Sequence, residues 1–290
     1  MDTALRVRIA FEEKNTLDKE VVSQLLHSSK LVNKLTKDFV NNPLFVVFRM
    51  MGLSEIPCAE SLSYTQKMID YANQKLATGQ GFSCLGGVEE IVPCYNAMLF
   101  EAYCRLGLGE SKEAQDALNW IKQFQLFKRN HTTTWQHKGI CKHGGCLGKT
   151  PCYIGIGKTV RALITYSEFI NHDDHEIENL INEGTDYLLM HKMFQQLSKP
   201  EPISKHITDI TFPQSYFLSL SDLVYIAGKR KLMNDENCNS MKLLLKEKEV
   251  EENKWKIEYN YGYKGYVAFE TRQKASEWIS TLYPIWLSGT

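Results

Sequence analysis

Thr150-Pro151-Cys152-Tyr153-Ile154-Gly155-Ile156-Gly157 opens an apolar run on a proline, and the chain repeats the device in two other places. Val92-Pro93-Cys94-Tyr95-Asn96-Ala97-Met98-Leu99 precedes it, and Phe212-Pro213-Gln214-Ser215-Tyr216-Phe217-Leu218 follows it. The three prolines recur at intervals of roughly 60 residues. Proline is tolerated in the first turn of a helix, where its missing N–H has no intrahelical partner to lose. Each segment therefore predicts the start of an apolar helix. A fourth, Ser276-Glu277-Trp278-Ile279 through Trp286, follows about one period later without the opening proline.

Polar-faced helices are predicted between these, over Ser61–Leu76, Lys112–Gln125, Ile177–Phe194 and Asn239–Lys246. A helix apolar on most sides has to be buried, whereas an amphipathic one lies at the surface. Alternation of the two predicts an all-α chain built as an α/α-toroid, an outer ring of helices around an inner one. An α-solenoid is the competing arrangement, but its repeats run to about 33–47 residues.

Residues 58–290 are assigned to the repeat domain and 1–57 to a helical extension packed on it. In the extension Val21, Val22, Leu25 and Leu26 form one apolar stripe and Leu31, Leu35 and Phe39 a second, while Asn42-Pro43 opens a third helix. Gly52 to Pro57 reads as a linker. The links within the repeat are rich in glycine or aromatics, and Lys256 to Val267 has the composition of a short hairpin.

Of the 290 residues, 43% are hydrophobic and 23% charged, with 34 basic and 34 acidic side chains. A formal net charge of zero argues against a dominant nucleic-acid partner. No stretch approaches the ~18–20 apolar residues of a membrane span, and the first twenty residues lack the continuous apolar core of a secretory signal. A cytoplasmic location is expected. Cys58, Cys94, Cys104 and Cys238 lie in or beside helical sequence and are expected to be buried thiols.

Cysteine and histidine concentrate just before the second repeat, as His137, Cys141, His143, Cys146 and Cys152. Three readings stand. Cys141, His143, Cys146 and Cys152 could ligate Zn²⁺, whose preferred donors are these. Cys152, at a helix N-terminus between Lys149 and Lys158, could be a reactive thiolate and the catalytic residue, since exposed N–H groups and nearby cations lower a thiol pKa. The cysteines could also simply pack. Gly155 and Gly157 fall inside the predicted helix, so Gly155-Ile156-Gly157-Lys158-Thr159 is not read as a phosphate loop. Asp222, an acid in an apolar helix, is expected to cap or pair.

Three segments resemble the superfamily of squalene cyclases and protein prenyltransferase β-subunits, which are α/α-toroids. Ala117-Leu118-Asn119-Trp120-Ile121-Lys122-Gln123-Phe124-Gln125 is similar to the aromatic-then-Gln end of that family's repeats. Cys152-Tyr153 resembles the Asp-x-Cys-Tyr segment that carries prenyltransferase zinc, and Ser215-Tyr216-Phe217-Leu218-Ser219 the segment that follows its zinc histidine. Ala275-Ser276-Glu277-Trp278-Ile279-Ser280 resembles a recurring end motif of uncharacterised bacterial members. The departures bear on chemistry: Thr150 stands at the zinc aspartate and Pro213 at the zinc histidine, and no Asp-x-Asp-Asp acid motif occurs. Pro151-Cys152-Tyr153 is only loosely similar to the zinc-dependent lanthionine cyclases.

The resemblance implies a protein acting on a small apolar or isoprenoid-like ligand in a central cavity with Cys152 at its mouth. Tyr95, Tyr153 and Tyr216 hold matching places and are expected to line that cavity, with Gln214 and Lys158 beside them. The alternative is a non-catalytic module holding a peptide or lipid, its cysteine loop a structural clasp.

Overall fold

The computed structural model describes residues 1–135, 146, 148–170 and 173–288, and among them regular structure is helical, with isolated β-bridges and no strand. Among the described residues twelve α-helices follow one another: α1 (Thr3–Glu12), α2 (Lys19–Ser28), α3 (Lys30–Thr36), α4 (Pro43–Ser54), α5 (Ser63–Lys75), α6 (Pro93–Arg105), α7 (Lys112–Phe124), α8 (Tyr153–Phe169), α9 (His175–Met190), α10 (Leu220–Lys229), α11 (Asn239–Glu247) and α12 (Glu277–Leu287).

Two kinds of helix alternate. Every residue of α6 is buried, and α8 and α10 are buried over most of their length. By contrast α7 buries Ala114, Ala117, Leu118, Trp120 and Ile121, one face at helical spacing, and α5 buries only Thr65, Met68, Ile69 and Ala72. The surface helices sit against the buried ones: α5 on α4, α7 on α6, α9 on α8. The buried helices pack in succession, α4 on α6, α6 on α8, α8 on α10 and α10 on α12. α12 then meets α1, α1 meets α3, and α3 meets α4.

Local signals explain most helix starts. Ser111 accepts from the N–H of Ala114 at the head of α7, Asp174 from those of Glu176 and Ile177 at the head of α9, and Ser276 from that of Ile279 at the head of α12. Pro93 and Pro43 occupy the first turns of α6 and α4. The third proline does not start a helix. Residues 212–218 are irregular, and α10 begins at Leu220, where Ser219 and Asp222 form a reciprocal capping box. The cap decided this boundary because it satisfies two N–H groups that a proline further upstream could not reach.

Other expectations shift as well. α1 was not evident in the sequence, and Gly52–Ser54 continues α4 rather than forming a linker. Residues 256–267 form no hairpin; they run irregularly, and Tyr261, Tyr263 and Phe48 pack edge to face or stacked. Cys58 is exposed, with φ of 63°, whereas Cys94, Cys104 and Cys238 are buried. Gly155 and Gly157 allow close packing: a Cβ on Gly155 would lie 2.9 Å from Pro93 Cβ, and one on Gly157 2.5 Å from Leu218. Those contacts hold the start of α8 against the start of α6 and the segment that leads into α10. Among the described residues no helix is long and apolar enough to cross a membrane.

Candidate functional site

The starts of α6 and α8 bring sulfur and tyrosine together. Cys94 and Tyr95 lie in the first turn of α6; Cys152 stands just before α8, without a capping hydrogen bond from its side chain, and Tyr153 is the first residue of that helix. The Cys152 N–H donates to the Cys146 carbonyl at 3.5 Å, and the two thiols hydrogen-bond. Cys141, His143 and His137 lie outside the described residues. Among the described residues no group of three or more His, Cys, Asp or Glu side chains is placed to hold a metal ion.

The surroundings do not produce a thiolate. The hydrogen bond with Cys146 and burial push the Cys152 thiol well up, and the N–H groups of Gly155 and Ile154 only partly offset them. Cys94 is raised by burial and then by Cys152, Cys146 and Cys84; Cys84 is pushed up to about 12 by burial and Glu90. The helix-terminus effect exists here but is outweighed. Lys158, expected to add positive charge beside Cys152, is engaged elsewhere.

Of the tyrosines, Tyr95 and Tyr216 stack, with ring centroids 5.8 Å apart and planes at 28°, and Phe48 meets Tyr95 edge-on at 6.2 Å. Tyr153 turns away from this pair: its hydroxyl donates to the Met193 carbonyl at 2.6 Å, and its ring packs on Tyr187 and His191. The three matching positions therefore do not share one wall.

Beyond these aromatics lies a buried network of ions that sequence reasoning missed. Glu101 of α6 is its hub. Its Oε1 accepts from Arg105 Nε at 2.8 Å and from Arg161 Nε at 3.0 Å, and its Oε2 accepts from Gln214 Nε2 at 2.9 Å. Arg161 Nη2 reaches Glu55 at 2.8 Å, just past the end of α4, and Arg8 Nη1 of α1 meets the same carboxylate at 2.8 Å. Lys158 Nζ lies 3.1 Å from both Asp222 oxygens and from Gln214 Oε1. Four buried cations (Arg8, Arg105, Lys158, Arg161) thus face four buried carboxylates (Glu12, Glu55, Glu101, Asp222). Burial alone would raise the carboxyl pKa values, but the guanidiniums win: Glu55 is held down at about 2, and Glu101 and Glu12 are also lowered.

Gln214 and Lys158 are therefore brought together, but inside this network and bonded to each other. Asp222 both caps α10 and pairs, as a buried acid must. A signal for the rest was present: Lys158, Arg161 and Thr165 recur at three- and four-residue spacing on an apolar helix, and Glu101 and Arg105 lie one turn apart on another. Set beside known protein families, curated proteins and solved structures, the chain matches none.

Proposed function

We propose that this chain is an α/α-toroid of the squalene cyclase and prenyltransferase kind, and that it binds a small apolar or isoprenoid-like ligand at the mouth where its inner helices begin. One observation carries the reading. Side chains from α1, the end of α4, α6, α8 and α10, far apart in sequence, converge on a single charge-balanced network, as helices arranged about a common axis would. With the axis filled by ion pairs, the ligand is proposed to sit toward the helix starts, against Cys146, Cys152 and the Tyr95–Tyr216 stack. Binding rather than thiolate chemistry fits a Cys152 whose pKa is raised.

Farnesol, a neutral isoprenoid, is the test compound. Calorimetric titration of farnesol into the full chain is expected to give saturable binding, weakened at least tenfold by Tyr216→Ala. An absence of saturable binding, or a Tyr216→Ala protein that binds like the parent, would remove the ligand from this mouth.

A second reading has an observation of its own in the Cys146–Cys152 contact. Two adjacent thiols are half of a Zn²⁺ ligand set, which Cys141 and His143 would complete; the metal would clasp the loop, and its thiols would then be deprotonated on binding. Protein purified without added zinc is expected to carry close to one equivalent by elemental analysis. Less than about a tenth of an equivalent would discard the clasp, given the tight binding of structural zinc.

A further inference from the structure

The opposite end of the buried helices holds an opening that neither reading uses. A cavity of about 680 Å³ lies where α1, α6, α8 and α10 end, bounded by Phe11, Arg105, Phe169, Tyr225, Glu168 and Lys229, among others. That volume suits a ligand of modest size.

Arg105 forms its floor. The side chain is 4% exposed, yet its guanidinium is only partly used. Nε donates to Glu101 and Nη2 to Thr165 at 3.3 Å, while Nη1 has no hydrogen-bond partner among the described residues. Phe169 and Tyr225 stand 5.7 and 5.4 Å from the guanidinium carbon. What is left to the cavity is the outer edge of a planar fork, the part of arginine that matches a carboxylate.

The lining charge points the same way. Glu12 meets Arg8 at 2.7 and 2.9 Å and also lies 3.8 Å from Lys229. Arg105, Lys229 and Lys14 stand in the lining against Glu12 and Glu168, the latter 2.9 Å from Lys229, and Arg105 gives its Nε to Glu101 but not its Nη1. Phe11 and Phe169 stack at 5.4 Å and supply a flat apolar wall next to this positive edge. We infer that the cavity binds a small aromatic carboxylate, its carboxylate on Arg105 Nη1 and its ring against Phe11 and Phe169.

Calorimetric titration of benzoate into the full chain is expected to give saturable binding with a Kd of about 1 mM or tighter, in keeping with the ligand's size. Benzamide, which has the shape without the charge, and inorganic phosphate, which has the charge without the ring, should each bind at least tenfold more weakly. Arg105→Lys keeps the charge but loses the fork and should weaken benzoate tenfold or more. Because Arg105 is also part of the buried network, Phe11→Ala gives an independent reading: Phe11 is 45% exposed, and its loss should weaken benzoate several-fold with the fold intact. The inference is overturned by an absence of saturable benzoate binding, by benzamide or phosphate binding equally well, or by a Phe11→Ala protein that binds like the parent. None of these results bears on the farnesol experiment at the other end.

Discussion

Glu101→Gln is expected to cost the fold about 3–5 kcal/mol, the loss typical of removing one partner from a buried ion pair. The substitution keeps the shape of the side chain and takes away its charge. Arg161 and Arg105 would then share a neutral amide where a carboxylate stood at 3.0 and 2.8 Å, and the network would hold four cations against three carboxylates. Gln214 compounds the effect, since its Nε2 donates to Glu101 Oε2 and an amide there could present a second donor. The residues involved are at most a few per cent exposed, so water cannot replace the missing charge. Urea denaturation followed by far-UV circular dichroism measures the loss. A change below about 1 kcal/mol, the range of an exposed pair, would mean that the hub does not organise the helices around it.

The second large effect is acid sensitivity. Burial works against the Glu55 carboxylate, but Arg105, Arg161 and Arg8 outweigh it and hold the pKa at about 2, below an ordinary value of 4.5. A carboxyl depressed on folding contributes stability that is present above its unfolded pKa and lost as pH falls through the folded one. Glu55 alone therefore contributes on the order of 3 kcal/mol at neutral pH. Glu101 and Glu12, also lowered, act in the same direction. Stability should be level above about pH 5 and fall steeply from pH 4.5 towards 2. Glu55→Gln, destabilised at neutral pH, should show a shallower fall across that window. Equal slopes for the two proteins between pH 4.5 and 2 would show that Glu55 is not held ionised by its guanidiniums.

How much of this could be read beforehand differs from element to element. Helices with a cap or a single apolar face, such as α7, α9 and α12, stood out because their signals are local: Ser111, Asp174 and Ser276 act on N–H groups two or three residues away. α10 starts later than Pro213 predicts because two local signals compete there, and the Ser219–Asp222 box prevails. The candidate mouth was legible only in part. Cys152 does stand at the head of α8, but its thiol pKa depends on Cys146 and on burial, neither of which helix position reveals. The Tyr95–Tyr216 pair formed while Tyr153 went to Met193, a choice made by neighbours from α9 and the segment after it.

The sequence by itself determined the helical class, the alternation of buried with surface helices and the need for Asp222 to find a partner. These follow from periodicity and from the cost of leaving an acid unpaired in an apolar helix. Only the tertiary structure decided which partner each charge took. Glu55 meets Arg161 across 106 residues and Gln214 meets Glu101 across 113, separations over which no local pattern specifies a contact. A buried charge cannot remain alone, so the sequence requires such pairs; the packing of α1, α4, α6, α8 and α10 selects them, because it fixes which charged groups come within 3 Å of one another.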